Sequence, residues 1–387
     1  MVKKGYKQTE IGVIPVDWSV SDFGCKVKIY RGGSPRPIQD YLTQAEGGIN
    51  WIKIGDVREG DKYITSTEEK IIPAGVSRSR SVHAGDFILS NSMSFGRPYI
   101  LNIDGCIHDG WLTIQEYEKT FSKNFLYYLL SSDSVYQQYI SMAAGSGVKN
   151  LNKEKVSALV VAYPDLGEQE KIADALSSID SLIATLEKQI SKKKAIKQGA
   201  MQELLTGKRR LPGFSGDWQT ISLKKALSVG HGMSQHDVEC PTGRYPILAT
   251  GGVIGRANRY LWNAPSVLIG RKGTISQPRY MDKPFWSIDT LFYTKINEGY
   301  CPKFLYYVFC RIDWLSYNEA SGVPSLSAKT IESIEVQVPD YREQCAIAGV
   351  LTDIDTEIEA LEQKLGKYRQ VKRGMMQHLL TGKIILV

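Results

Sequence analysis

The chain is 387 residues long, 42% hydrophobic and 23% charged, the proportions of a protein with true cores and about two to three domains. No apolar run approaches the roughly 18 residues of a membrane helix, and the N-terminus lacks the apolar stretch of a signal peptide, so a cytoplasmic protein is expected. Six scattered cysteines with no Cys-x-x-Cys pair argue against a disulfide frame or a zinc site, and a net charge of +7 is compatible with nucleic acid without requiring it.

The first segment, residues 1–164, reads as mixed α/β. Strands are expected at Ile49–Ile54, Asp86–Ser90 and Leu159–Ala162, bounded by turn signals such as Gly55-Asp56 and Gly85-Asp86. Phe121–Ile140 has helical spacing with a Ser/Asp break midway, and its Tyr127-Tyr128 pair reads as core. A long helix follows, residues 165–207. Asp165 with Glu168 three residues on is a capping-box pattern, and Thr206-Gly207 supplies the stop. Ile172, Leu176, Ile179, Ile183, Leu186 and Ile190 are spaced alternately four and three apart, which is the seam of a coiled coil.

After a LysArgArg linker the pattern starts again. A second mixed α/β segment, residues 208–339, has strand-like stretches at 245–250, 266–270 and 285–293, and Phe304-Leu305-Tyr306-Tyr307 repeats Phe125-Leu126-Tyr127-Tyr128. Ser321-Gly322-Val323 likewise repeats Ser146-Gly147-Val148. The second helix, residues 340–387, carries Ile347, Leu351, Ile354, Ile358, Leu361 and Leu365 on the same seam. Its stretch from Glu343 matches the one from Glu168 without a gap, at an offset of 175 residues (343 less 168). This is a duplicated half-protein rather than a solenoid. Two single seams in one chain are most simply buried against each other. The connectivity favours an antiparallel pair with pseudo-twofold symmetry, because a parallel one would need the second segment to carry the chain back along a rod of roughly 60 Å. Similar helices with dissimilar heads suggest two related but non-identical readers, and nucleic acid is a natural object for them.

EQxxIAxxLxxID…LLTGKxxL, present twice and each time after a Pro-Asp, resembles the specificity (S) subunit of Type I restriction-modification systems. Trp51–Asp56 and Gly85–Ser90 in the first head, and Tyr245–Ile247, Gly251–Gly255, Ile269–Gly273 and Phe285–Thr290 in the second, resemble that family's target recognition domains. The resemblance spans nearly the whole chain. It implies an α+β protein in which two mixed α/β recognition domains are each followed by a long helix, the helices pairing as an antiparallel coiled coil. It implies that each recognition domain reads one half of a bipartite double-stranded DNA target, while the helices set the spacer and dock two methyltransferase (M) subunits. S-adenosylmethionine would then sit on the M subunits, which methylate adenine after flipping it out of the duplex. ATP and Mg would sit on two restriction (R) subunits where these join. This chain would carry no cofactor and no catalysis of its own, and would touch no membrane.

Candidate DNA contacts are cations and amides on the expected loops, since Lys and Arg neutralise phosphates while Arg, Lys, Asn, Gln and Ser read base edges. In the first head these are Arg31, Ser34, Arg36, Arg78, Arg80, Asn91, Ser94 and Arg97. In the second they are Gln235, Arg256, Asn258, Arg259, Arg271, Lys272 and Arg279. Arg97 and Arg271 lie in tight Gly-flanked turns that would hold them rigidly. A solvated surface cation is the competing reading for each.

The sequence contains neither an Asn/Asp-Pro-Pro-Tyr/Phe motif nor a phosphate loop. Asp165, Glu168 and Lys171 faintly suggest a nuclease carboxylate set, but the second copy has no lysine there and capping explains both. His231, His236 and Cys240 have ligand chemistry without a standard metal spacing. A coiled-coil scaffold whose heads bind proteins is the reading from a different class, and salt-dependent DNA affinity separates the two. A lysine-rich run from Lys188 through Lys192, Lys193, Lys194 and Lys197 to Lys208, Arg209 and Arg210 marks the end of the first helix, either a solvated face or a track along phosphates. Gly199 and Gly374, at matching helix positions, point to a close helix crossing or to a partner.

Overall fold

A computed structural model describes residues 4–58, 60–91, 96–143 and 151–386. The chain forms two compact units. The first comprises residues 1–185 and 365–387, the second residues 186–364. Each unit therefore combines one globular part with portions of both long helices.

In the first unit, strands Lys28–Arg31, Trp111–Gln115, Phe87–Ser90, Pro98–Leu101 and Tyr63–Ile64 form one five-stranded sheet in that spatial order. A second sheet orders Leu42–Thr43, Glu69–Ile71, Ile49–Ile52, Gly105–Ile107 and Arg80–Val82. Phe87–Ser90 and Pro98–Leu101 are buried at every position, as expected of strands covered on both faces. In the second unit, Leu227–His231, Leu291–Ile296, Ser266–Gly270 and Arg279–Met281 repeat the first four strands of the first sheet. Gly252–Ala257, Tyr245–Ala249 and Trp286–Ser287 repeat the centre of the other, including its parallel pair. The stretch expected as one strand at 285–293 is two, split by a turn at Ile288-Asp289-Thr290. The break has a reason: its two pieces belong to different sheets.

The break expected midway through 121–140 is present: the stretch forms two helices, Lys123–Leu130 and Asp133–Ala143, parted at Ser131-Ser132. The long helices run Leu166–Leu204 and Tyr341–Leu379. Asp165 and Asp340 cap them, each Oδ1 accepting the backbone N–H of the Glu three residues on, at 3.0 Å in both cases. Gly207 and Gly382 end them with φ of +66° each. No Cβ would be tolerated at Gly382, where it would lie 2.3 Å from the Pro15 ring.

The helices run antiparallel inside each unit. In the first, Ile172 and Leu176 share a core with Leu379 and Leu380, and Asp180 pairs with Lys372 at 2.6 Å. In the second, Leu204 and Leu205 share a core with Ile347 and Leu351, while Lys194 pairs with Glu362 at 2.7 Å and Lys197 with Asp355 at 2.5 Å. Position therefore rises on one helix as it falls on the other. The seam is not uniform, however. Ile172, Leu176, Ile347 and Leu351 pack into the globular cores, Ile179, Leu186, Ile190 and Ile358 are buried farther along, and Ile183, Ile354, Leu361 and Leu365 are only half-buried. A heptad pattern cannot distinguish a helix that faces a helix from one whose first turns face a domain. No helix of the described residues is long and apolar enough to cross a membrane.

Candidate nucleic-acid interface

Each globular part is locked to its helix by residues that the two copies share. The Gln169 amide, fully buried, donates to Thr120 O and Pro164 O and accepts from Ser122 N–H, all at 2.9 Å. Gln344 donates to Pro339 O and accepts from Cys301 N–H at the same distance. Tyr128, from the repeated Phe-Leu-Tyr-Tyr, donates to Asp180 Oδ2 at 2.8 Å beside Ser177, and Tyr307 does the same to Asp355 beside Thr352. Each aspartate then holds a lysine of the other helix, Lys372 or Lys197. Burial pushes both tyrosine hydroxyls well above their ordinary range. The residues of the Tyr–Asp–Lys relay recur at the offset of the duplication, as Asp180/Asp355 and Lys197/Lys372, but an expectation of core packing alone missed that they pair.

On this frame the same strand ends hold different side chains. Asn91 N–H donates to Gly110 O and Asn91 O accepts from Leu151 N–H; Arg271 makes the matching bonds with Thr290 O and Leu326 N–H. The two residues are therefore structural equivalents. Asn91 is buried and its Nδ2 donates to Asp109 O at 2.9 Å, so its role is to hold the loop. Arg271 is half-exposed, with Nη1 3.4 Å from Asp289 O.

Asp109 organises the first cluster. Its carboxylate accepts from Ser34 Oγ at 2.8 Å, from Arg36 Nη2 at 3.3 Å and lies 2.9 Å from His108 Nε2, while its carbonyl accepts from Arg31 Nε at 3.2 Å. Burial works against the charge, yet the Ser34 hydroxyl and the nearby His108, Arg31 and Arg36 hold the carboxyl below its ordinary value. Arg80 joins by donating from Nε to Arg31 O at 2.8 Å, with its guanidinium 4.8 Å from the Tyr30 ring centre. Four of the expected residues (Arg31, Ser34, Arg36 and Asn91) thus converge on one aspartate, and Arg80 joins them through Arg31. His108 and Asp109 themselves escaped the reading, although His-Asp-Gly between two strand-like runs was the available signal. Arg78 stands apart over Tyr41, at 5.6 Å, and Arg97 is exposed beside a cavity lined by Tyr99 and Tyr127. Ser94 lies outside the described residues, as does the first Ser-Gly-Val loop.

In the second unit the candidates fall into two groups. Arg271 and Lys272 share one loop, where Lys272 pairs with Ser325 in an isolated bridge, and Arg279, at the start of its strand, donates from Nη2 to Thr250 O. Gln235, Arg256, Asn258 and Arg259 belong to another, tied by Cys240 N–H to Arg256 O at 2.8 Å, Asn258 N–H to Val238 O at 3.0 Å and Val238 N–H to Gln235 O at 3.0 Å. Arg259 lies over Trp286 at 5.6 Å. Arg256, Asn258, Arg259 and Lys272 are exposed. Cations and amides held by backbone bonds on exposed loops have the chemistry to contact phosphates and base edges.

The lysine-rich run is answered in part by carboxylates. Lys193 pairs with Glu357, Lys194 with Glu362 and Lys197 with Asp355, and Arg210 grips buried Glu343 through two bonds of 2.6 and 2.7 Å. Glu168, the equivalent of Glu343, has no such cation. Its Oε1 and Trp18 Nε1 are both buried without completing a hydrogen bond, and burial pushes the carboxyl above its ordinary value despite a smaller opposing pull from the indole. His231 meets the Phe292 ring edge-on at 5.0 Å, and no group of three or more His, Cys, Asp or Glu able to hold a metal gathers among the described residues.

Residues 15–197 and 216–367 match the Type I restriction modification DNA specificity domain. The Type I restriction enzyme MjaVIII specificity subunit of Methanocaldococcus jannaschii is 24% identical over 423 aligned positions, covering 96% of this chain and 94% of that one. The fold is similar to the crystal structure of a Type I restriction-modification S subunit from M. genitalium, with a TM-score of 0.63 at 15% identity over 94% of this chain and 96% of the other. A second similar structure, described for complex assembly and conformational transition of the type I R-M system, gives 0.59 at 15% identity, covering 96% and 99%.

Proposed function

We propose a function from one premise: the chain belongs to the Type I restriction-modification DNA specificity family. It is a specificity subunit, and DNA sequence specificity is its role. Beyond that, our reading is that each globular part reads one half of a bipartite double-stranded target. The paired helices set the unread spacer and dock two M subunits, which bring S-adenosylmethionine and methylate adenine. R subunits, where they join, bring ATP- and Mg-dependent restriction. The chain itself selects and does not catalyse.

One observation carries this reading. The hydrogen-bond frame is the same in both units, but equivalent loop positions hold different side chains, as at Asn91 and Arg271. A common frame whose strand-end loops carry different side chains, buried Asn91 in one unit and half-exposed Arg271 in the other, is what two recognition modules for two different half-sites require.

The test is to map methylated adenines in DNA from cells carrying the system, with and without the Arg271→Ala substitution. The expected wild-type result is a two-part motif with one methylated adenine on each strand. Arg271→Ala should relax only one half of that motif. A single continuous motif, or unchanged methylation after deletion of the chain, defeats the proposal. Duplex affinity should also fall with salt as counterion release demands; affinity indifferent to salt would favour a scaffold whose heads bind proteins.

A further inference from the structure

Strand Gly252–Ala257 of the second unit breaks the alternation that a pleated strand imposes. Successive residues face opposite sides of a sheet, so one of Val253 and Ile254 is expected to turn inward. Both face solvent instead, at 66% and 50% exposure. The register with Tyr245–Ala249 gives the cause. Ile247 pairs with Gly255 and Leu248 with Val253, which leaves Ile254 as an extra residue without a partner. A β-bulge of this kind re-aims the side chains beside it. A single exposed aliphatic residue is ordinary, but two in succession, turned outward by a bulge beside a hairpin turn, form a defined apolar edge.

The turn that leads into this edge is held by cation-bearing elements. Arg279 Nη2 donates to Thr250 O, and a Cβ at Gly252 would stand 3.9 Å from Arg279 Nη1. Gly252 itself takes φ of +130°. Thr250 also packs on the loop Gly270-Arg271-Lys272-Gly273, since a Cβ at Gly270 would meet its Cγ2 at 2.8 Å and one at Gly273 its Oγ1 at 4.0 Å. Arg256 is exposed on the same strand as the apolar pair. Arg256, Arg271, Lys272 and Arg279 make no ion pair among the described residues. Glu239 reaches the strand at Gly255, and the four cations outnumber it.

The first unit lacks this device. There Trp51 stands where Ile247 does, each paired with its parallel neighbour strand, and Glu69 faces Trp51 as Gly255 faces Ile247. Ile49 to Trp51 pair with Ile71 to Glu69 without a bulge. Residues 53–68 take the place of the short turn, and Lys53 is held by Glu69 at 3.0 Å.

An aliphatic edge among unpaired cations fits a polyanion with an apolar interior, which describes duplex DNA. Aliphatic side chains that enter a base stack open it at one step, while nearby cations hold the flanking phosphates. Such a side chain has no hydrogen-bond code for a base. It discriminates through the cost of opening the step, which is lowest where a pyrimidine precedes a purine.

We infer that Val253 and Ile254 form a wedge that enters the stack at one base step of the half-site read by the second unit. This rests on the reading that each unit reads one half-site. The second half-site is then selected partly by how readily it deforms, and the first half-site keeps its stack apart from the adenine to be methylated.

The test uses the full chain assembled with its cognate M subunits, on duplexes carrying the target taken from the methylation map. Base analogues that brighten when unstacked, 2-aminopurine for adenine and pyrrolo-cytosine for cytosine, replace one base at a time through both half-sites. The methylated adenines are left out, because their flipping also brightens the probe. The wild-type complex should brighten the analogues at one step of the second half-site and at none of the first. Changing Val253→Ser and Ile254→Ser together should abolish that signal and weaken binding to the target by about tenfold. Affinity for unrelated duplex, the salt slope and the melting temperature should stay the same, since both residues are exposed and uncharged. A second half-site that stays stacked throughout, or a double variant that keeps the wild-type signal, overturns the inference. So does a double variant that binds target DNA as the wild type does but carries fewer M subunits, because the edge would then be a protein contact. A wild-type complex that binds its target no better than unrelated duplex overturns the half-site reading instead.

Discussion

The first and second units share a topology and a set of anchoring bonds, and they differ in how well those bonds are completed. Gln169 makes three hydrogen bonds to its head where Gln344 makes two. Glu343 is gripped by Arg210, whereas Glu168 at the same position is half-buried, its Oε1 enclosed near Trp18 with no arginine to receive it. The tails explain the second difference. Arg210 follows the end of the first long helix, inside the second unit, and Ile385 stands at the matching place after the second helix. Duplication thus preserved the attachment of head to helix, while the residues around that attachment drifted. The loops differ for another reason: backbone bonds hold the strand ends in both units, so different side chains are accommodated there, as at Asn91 and Arg271.

The largest effect should come from the glutamines. Gln169→Ala leaves one buried N–H and two carbonyls without partners, and should cost about 3 kcal/mol in urea unfolding. Gln344→Ala strands one of each and should cost about 2 kcal/mol. Equal losses would mean that the third bond at Gln169 contributes nothing. Next come the tyrosines. Tyr128→Phe and Tyr307→Phe each delete a bond to a charged aspartate and should each cost about 1.5 kcal/mol. Here the units should agree, and hydrogen exchange on the two long helices would reveal a disagreement.

How much of this was legible beforehand depends on what kind of signal each feature left. The caps at Asp165 and Asp340, the glycine stops and the two long helices were readable because each is a local pattern seen twice. The Tyr128–Asp180–Lys372 relay needed the antiparallel register, which no local pattern contains, even though its residues recur. Asn91 was expected as a DNA contact by residue type, but burial against Asp109 turns on a strand-end geometry that residue type does not encode. The inward turn of Ile172 and Leu176 toward their own head was hidden for the opposite reason: a heptad fits either neighbour. The split at Asp289 was missed because apolar residues continue on both sides of it while the chain changes sheet.

A smaller effect, of opposite sign, is expected at the helix glycines. Gly199→Ala and Gly374→Ala add a methyl group to open space and replace the poorest non-proline helix former, so each should stabilise the isolated chain by about 1 kcal/mol. The gain should be the same in both units, because neither position has a neighbour to crowd. A destabilisation at either would show that the helix there is packed against something after all.

The smallest effect should fall on Glu168, and it tests the difference between the units most directly. Its folded-state pKa is raised, chiefly by burial, so the protonated form fits the folded first unit better than the charged one. By linkage, this group's contribution is fully present below its ordinary value near 4.5 and is lost as pH rises through the raised folded-state value. Glu168→Gln keeps the shape and removes the charge, so it should raise stability at neutral pH and flatten the fall between about pH 4.5 and neutrality. Glu343→Gln should instead lower stability at neutral pH, because it takes from Arg210 the carboxylate that receives two bonds. Melting curves of both variants at pH 5 and pH 7 decide the matter. If Glu168→Gln is destabilising at pH 7, the first unit needs that charge, and the two units are more alike than their side chains suggest.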